Sequence, residues 1–225
     1  PWRGYASGPP TVFTLVEKKG MSYPEAAGKL FAGQGSLGNG AAMRIAPVGL
    51  FFHRATGLNE RAYASAEITH THPVGMDGAA IQARAIAQAV KLQPQRNFPF
   101  ELFCKDLINS SNTGKIRGSM QLVKRLVAGS EPNGFAARSI GQTVAVNESM
   151  PFAVYSFLRH PGSFEDCLFC AVLNGGDRDT LGAMAGAISG AYLGVEAVPE
   201  SWILKLENRS HIEKLALTLA KMVAD

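Results

Sequence analysis

No uninterrupted apolar run in the sequence approaches the roughly 20 residues a helix needs to cross a bilayer, so a soluble chain is expected. Cysteine is scarce. Cys104, Cys167 and Cys170 cannot all pair and no signal peptide precedes them, so a reducing compartment is the expectation. Cys167 and Cys170 form a CxxC, but without a second CxxC or a matching His pair. Their Leu168 and Phe169 neighbours favour a buried helix over a redox or zinc site. Charged residues make up 18%, below the roughly 25% of average globular proteins. The net charge of +4 is dispersed. Its densest basic stretch holds only Lys115, Arg117, Lys124 and Arg125 among apolar residues, weak evidence for nucleic acid and compatible with a diphosphate or an acidic polymer. Convincing strand alternation is missing, as are repeats and low-complexity tracts.

What the chain does have is 225 residues, 46% of them hydrophobic, enough for one sizeable core, and the expectation is a single domain over 1–225. Its 24 glycines and abundant alanine suit closely nested helices. Helix starts are written locally. Ser22, Pro24 and Glu25 make a capping box ahead of Ala26, Ala27, Leu30 and Phe31. Ser163 with Asp166 opens another helix, and Ser210 with Glu213 the last, whose Leu215, Leu219 and Met222 share a face. Residues 59–93 predict two helices broken near Pro73, and 137–159 one helix ending before His160, Pro161 and Gly162. Residues 93–99 and 110–117 are expected as loops. The fold class is all-α.

Residues 174–194 carry the most information. Gly182, Gly186, Gly190 and Gly194 recur every four residues beside Ala183, Ala187 and Ala191, leaving one helical stripe almost bare. Each interior glycine costs about 1 kcal/mol against alanine, so the stripe predicts a central buried helix against which another backbone packs closely. Asp177, Asp179 and Thr180 stand at its start behind Gly175 and Gly176. One reading is an N-cap with acids favoured by the helix dipole. The sharper one is that two carboxylates and a hydroxyl converge on a hard cation, Mg²⁺ or Mn²⁺ rather than zinc, with coordination positions left open.

A second stretch, Phe31 to Arg44, places Gly33, Gly35, Gly38 and Gly40 directly ahead of a helical pattern from Ala41 to Phe52. Such a loop exposes backbone N–H groups that suit a diphosphate, although it lacks the Lys-Ser/Thr of a P-loop and follows no strand. Taken alone it is equally an ordinary tight turn.

Together these stretches resemble the ADP-ribosylglycohydrolase family over nearly the whole chain. Residues 35–44 (Gly-Ser-Leu-Gly-Asn-Gly-Ala-Ala-Met-Arg) are similar to its ADP-ribose loop, and 175–180 (Gly-Gly-Asp-Arg-Asp-Thr) to its late metal motif. Thr69-His70, Asn147 to Pro151 and Phe157-Leu158-Arg159 match in order between them. Gly38-Asn39-Gly40 and the spacing around Pro199 to Trp202 resemble the branch acting on serine-linked ADP-ribose and poly(ADP-ribose) rather than the arginine-directed one. The resemblance implies a compact orthogonal multi-helix domain. It implies that Asp177, Asp179 and Thr180 bind a two-magnesium centre, and that Gln34, Gly35, Ser36, Leu37, Gly38, Asn39 and Gly40 hold diphosphate and ribose. His70 and Val144 would then touch the ligand, Phe31 would lie near the adenine, and Gly4 to Gly8 would line the pocket. Seen alone, His70 and His72 are half-exposed helix histidines.

The sequence departs from the family pattern in three places. Leu37 stands where an aromatic residue is common, so stacking on the ligand is weaker, and Arg178 stands where a small residue is usual. No Asp-Asp pair occurs, whereas the family supplies an early glutamate and a Thr-Asp-Asp triplet. The expectation is therefore an N-terminally incomplete domain whose proton-transfer group lies upstream, weak in magnesium binding when alone. The implied reaction is hydrolysis at the anomeric carbon of the distal ribose, and the rivals are a silent ADP-ribose reader or a helical scaffold. The implied partners are ADP-ribose, ADP-ribosylated proteins and poly(ADP-ribose). A monomer without direct DNA or membrane binding is expected, in nucleus, cytoplasm or mitochondrion.

Overall fold

The computed structural model describes residues 6–129 and 131–224. Among them are fifteen α-helices, one 3-10 helix and no strand, so the all-α class holds. Helix α1 (Gly8–Lys19) opens with prolines in its first turn, where their missing N–H groups cost nothing, and stops at left-handed Gly20. In α2 (Tyr23–Gly28) both halves of the capping box form: Ser22 Oγ accepts from the Glu25 N–H, and the Glu25 carboxylate accepts from the Ser22 N–H at 2.9 Å. The turn labelled α3 (Leu30–Gly33) is not regular helix, because Phe31 and Ala32 have φ of 52° and 56°.

The pattern expected as one helix from Ala41 to Phe52 is two, α4 (Gly40–Met43) and α5 (Ala46–Phe51). Pro47 is the reason: it has no N–H to offer the Met43 carbonyl one turn back. Helices α6 (Leu58–Glu67) and α7 (Pro73–Ala89) break where expected, with the His72 ring accepting from the Val74 N–H at 3.1 Å to start α7. The loop at 93–99 leads into α8 (Phe100–Ser110), but the loop expected at 110–117 shrinks to three residues, 111–113, before α9 (Gly114–Ala128). Thr113 caps α9, accepting from Ile116 N–H at 3.3 Å.

The helix expected over 137–159 also divides, into α10 (Asn133–Ile140) and α11 (Val146–Arg159), at Gly141 with φ of 91°. Helix α12 (Phe164–Val172) starts at Ser163 as its sequence predicts, and α13 (Arg178–Leu193) carries the glycine stripe. After the 3-10 turn (Val195–Ala197) come α14 (Glu200–Ile203) and α15 (Arg209–Ala224). The last begins one residue before Ser210, beyond left-handed Asn208, and its Leu215 and Met222 stay exposed.

Three helices, α7, α11 and α13, form the centre and pack on one another. Helix α7 is buried nearly all round because small residues such as Gly78, Ala79, Ala80 and Ala83 let its neighbours approach from every side. Helix α11 tolerates Pro151 in its interior because the Asn147 carbonyl, which Pro151 cannot bond, accepts from Ser119 Oγ at 2.9 Å. Phe98, Phe103, Phe157 and Tyr192 meet edge-on or tilted at centroid distances of 5.3–5.8 Å, each pair adding about 0.5–1.5 kcal/mol beyond area burial.

The glycine stripe meets side chains, not a backbone. A Cβ on Gly182 would lie 3.1 Å from Val172 Cγ1, and one on Gly186 would lie 3.5 Å from Leu168 Cδ1, with Phe164 beside Gly190. Ridge residues of α12, spaced four apart, thus fill the groove that the glycines leave. Cys104, Cys167 and Cys170 are free and buried, in keeping with the core reading of the CxxC; burial pushes the Cys167 thiol up to about 12, which keeps it protonated and unreactive.

Candidate functional site

The loop Gly35 to Gly40 lies folded between the start of α7 and the segment 142–146. Gly35 has φ of 72°, and a Cβ there would sit 2.3 Å from Thr71 Oγ1 and 2.7 Å from the His72 nitrogen. No other residue fits. From the α7 side, a Cβ on Gly75 would lie 2.5 Å from the Ser36 carbonyl oxygen, so the loop rests directly on the helix. Gly38 bridges to Ala145, with Asn39 N–H donating to Val144 O at 2.9 Å and Val146 N–H to Leu37 O at 3.1 Å. Gly38 N–H turns back to Ser36 Oγ at 3.2 Å. Among the described residues, the N–H groups of Ser36, Leu37 and Gly40 have no hydrogen-bond partner, which leaves three backbone donors of this loop free for an anion.

His70 lies against this loop and is only 7% exposed, so it is not the half-exposed helix histidine its position alone suggests. A Cβ on Gly40 would meet its Cε1 at 3.1 Å and its Nε2 at 3.2 Å. Burial, with the Arg44 charge beside it, pulls its pKa down to about 4, leaving it neutral at pH 7. His72, by contrast, serves as the cap of α7.

The acid turn stands beside the loop. Asn39, buried, donates through Nδ2 to Asp177 Oδ2 at 2.7 Å and to Ser149 Oγ at 3.1 Å, so one side chain joins loop, α11 and turn. Asp177 occupies the N-cap of α13 yet makes no side-chain cap bond, which disfavours the plain capping reading. Asp179 is exposed, and its interaction with the neighbouring Asp177 side chain, then with the backbone N–H of Thr180, holds its carboxyl below the usual range. Two carboxylates this close repel unless a proton or a cation lies between them. Thr180 is buried, its hydroxyl donating to Met43 Sδ at 3.7 Å and leaving the oxygen lone pairs free. Two carboxylates and a hydroxyl are hard oxygen donors and fit Mg²⁺. Among the described residues no group of three or more His, Cys, Asp or Glu gathers to hold a metal.

Gln142 is the residue that the motifs do not reveal. Its carbonyl accepts from Asp177 N–H at 2.9 Å, and its Nε2 donates to Asn174 O at 2.7 Å, fixing the turn on both sides of Gly175-Gly176. The backbone carbonyl carries half of this role and leaves no side-chain signal. Thr69, Arg44 and Ser149 lie inside recognisable motifs, but spacing gives no hint of their partners.

Gly176, with φ of 71°, would bring a Cβ within 2.1 Å of that Gln142 carbonyl. Gly176→Ala should therefore cost about 2–3 kcal/mol, lowering the melting temperature by roughly 5–10 °C. Gly186→Ala, which meets only ordinary contacts, should leave the melt within a few degrees or raise it slightly. Thermal melts of the two variants side by side check the pair.

The other residues predicted for the site are less deeply set. Gln34 is exposed at the loop's edge, Val144 is 65% exposed and Phe31 66%, both apolar surfaces free to meet a ligand. Gly8 lies at the start of α1, where a Cβ would reach Leu30 Cδ1 at 3.5 Å. Gly4 lies outside the described residues, and Arg178 is exposed.

Comparison with known proteins follows the same outline. A family model described as ADP-ribosylglycohydrolase matches residues 2–225. The chain is 34% identical over 256 residues to ADP-ribosylhydrolase ARH3 of Mus musculus, covering 99% of this chain and 67% of that protein. The Homo sapiens protein of the same name is 33% identical over 254 residues, covering 99% and 68%. A solved structure described as an ADP-ribosylglycohydrolase-related protein complex superposes with a TM-score of 0.75 at 24% identity, over 97% of this chain and 69% of that one, a likeness of fold.

Proposed function

The chain belongs to the ADP-ribosylglycohydrolase family of glycosidic-bond hydrolases, and from that premise we propose that it serves magnesium-dependent hydrolysis of the O-glycosidic bond of ADP-ribose, on modified serine residues and in poly(ADP-ribose). One observation carries this reading: the Asn39–Asp177 hydrogen bond, which ties the glycine cradle to the acid turn in a single site.

In this account the unpaired N–H groups of Ser36, Leu37 and Gly40 donate to the diphosphate. Val144 and Phe31 offer apolar surface to the remainder of the nucleotide. Asp177, Asp179 and Thr180 would contribute to a two-ion magnesium site, which when loaded would supply Lewis-acid polarisation at the ribose. Asn39 holds Asp177 at one oxygen and leaves its other lone pairs for ligation. The carboxylates act as ligands while positive charge develops at the anomeric carbon, as in other glycoside cleavage. The substrates are ADP-ribosylated proteins and poly(ADP-ribose), handled by a monomer in nucleus, cytoplasm or mitochondrion. Among the described residues no helix is long and apolar enough to cross a membrane.

A second reading, an ADP-ribose binder without turnover, is favoured by the absence of a third acidic ligand among the described residues. Peptides carrying serine-linked and arginine-linked ADP-ribose, offered with and without magnesium, separate the alternatives. Release of ADP-ribose from the serine peptide only, and only with magnesium, is expected. Preference for the arginine peptide would move the chain to the other branch, and tight ADP-ribose binding with no release from either would favour the binder.

A further inference from the structure

His70 faces the cradle, yet a neutral imidazole can either donate or accept there, depending on which nitrogen holds its hydrogen. The surroundings decide. Arg44 Nη2 donates to Thr69 Oγ1 at 2.8 Å and to Ser65 O at 3.1 Å, while Nη1 donates to Gly40 O at 3.0 Å. A guanidinium only donates, so Thr69 Oγ1 is an acceptor in that bond. The hydroxyl has one hydrogen, and its remaining contact among the described residues is His70 Nδ1 at 2.7 Å. The oxygen has two lone pairs, but only with Nδ1 as acceptor does the hydrogen of this buried hydroxyl find a partner among the described residues, and that arrangement puts the ring hydrogen on Nε2.

We propose that Arg44 and Thr69 are positioning residues that fix His70 as the Nε2–H tautomer, presenting a hydrogen-bond donor to an anionic oxygen held by the Ser36–Gly40 loop. The geometry agrees at the other end of the ring: Nε2 has no hydrogen-bond partner among the described residues and lies 3.2 Å from where a Gly40 Cβ would stand. The opposite tautomer would aim a lone pair at the same place and repel a phosphate oxygen. It would also take away the acceptor of the Thr69 hydroxyl. Protonation to imidazolium is opposed by burial and by Arg44, the charged group beside the ring. Arg44 spans both the loop, at Gly40 O, and the relay, so the cradle and the donor that faces it are set by one side chain.

The identity of the ligand rests on the ADP-ribose reading above; the tautomer does not. Long-range proton–nitrogen correlation spectra of the nitrogen-15-labelled, ligand-free chain at pH 7 report it directly, with His70 assigned by the signal lost in His70→Gln. The Nε2–H pattern is expected in the wild type, and an Nδ1–H pattern would overturn the proposal whatever the variants do. Thr69→Val should mix the two tautomers and weaken ADP-ribose binding about tenfold, as loss of one hydrogen bond predicts, and Thr69→Ser should restore both. Unchanged tautomer and affinity in Thr69→Val would contradict the relay. If the wild type shows the Nε2–H pattern but binds no ADP-ribose, the relay stands and the ligand reading fails.

Discussion

Asp177→Ala is expected to lower kcat/KM for magnesium-dependent release of ADP-ribose from serine-linked peptide on the order of a thousandfold, about 4 kcal/mol of transition-state stabilisation. The side chain is not needed to start its helix, since it makes no cap bond there. What it does is accept from Asn39 on one side and stand against Asp179 on the other. Under the proposed function, removing it would delete a metal ligand and release Asn39 from the turn at once. Asp177→Asn keeps an oxygen for Asn39 but loses the charge, so it should preserve the melting temperature and not the activity. Steady-state kinetics over a magnesium series test this: the loss should deepen as magnesium falls, and wild-type rates in either variant would remove the carboxylate from the mechanism.

The largest effect on stability is expected at Asp77, which no motif marks. It is 1% exposed on α7, and its carboxylate accepts from Asn112 N–H at 3.1 Å, Thr113 N–H at 2.7 Å and Thr113 Oγ1 at 2.6 Å. These are the free donors at the start of α9, where a negative charge is also favoured by the helix dipole. Alanine would leave two amides and a hydroxyl without their acceptor beside a cavity, costing about 3–5 kcal/mol, or roughly 8–15 °C in melting temperature. Asp77→Asn, which keeps one acceptor oxygen, should lose about half as much. Denaturant melts of both variants check the order; equal stability for alanine and wild type would mean that the cap is made another way.

Asp77 also explains why some of the fold was legible in the sequence and some was not. The capping box at Ser22 and Glu25 is complete within four residues, so it can be read from the chain alone. The cap of α9 is finished by a carboxylate far back in the chain, which is why Lys115, Ile116 and Arg117 pass for loop when they are helix. The glycine stripe announces close packing, but Phe164, Leu168 and Val172 that fill it belong to another helix. Apolar residues interspersed through 137–159 hide the break at Gly141, whose left-handed backbone carries no hydrophobic signal. In the site, the donor types of Asp177, Asp179 and Thr180 are legible, as is the glycine content of the loop. Their adjacency through Asn39, and the support from Gln142 and Thr69, depend on contacts that spacing does not encode.

That adjacency is open to a direct measurement. Calorimetric titration of ADP-ribose, with magnesium present, into wild type, Asn39→Ala, Asp177→Ala and the double variant forms a cycle across the 2.7 Å bond. If cradle and acid turn work as one site, each single substitution weakens binding and the double weakens it little more than either alone, a coupling of about 1 kcal/mol or greater. Full additivity, or affinity indifferent to both residues, would contradict it.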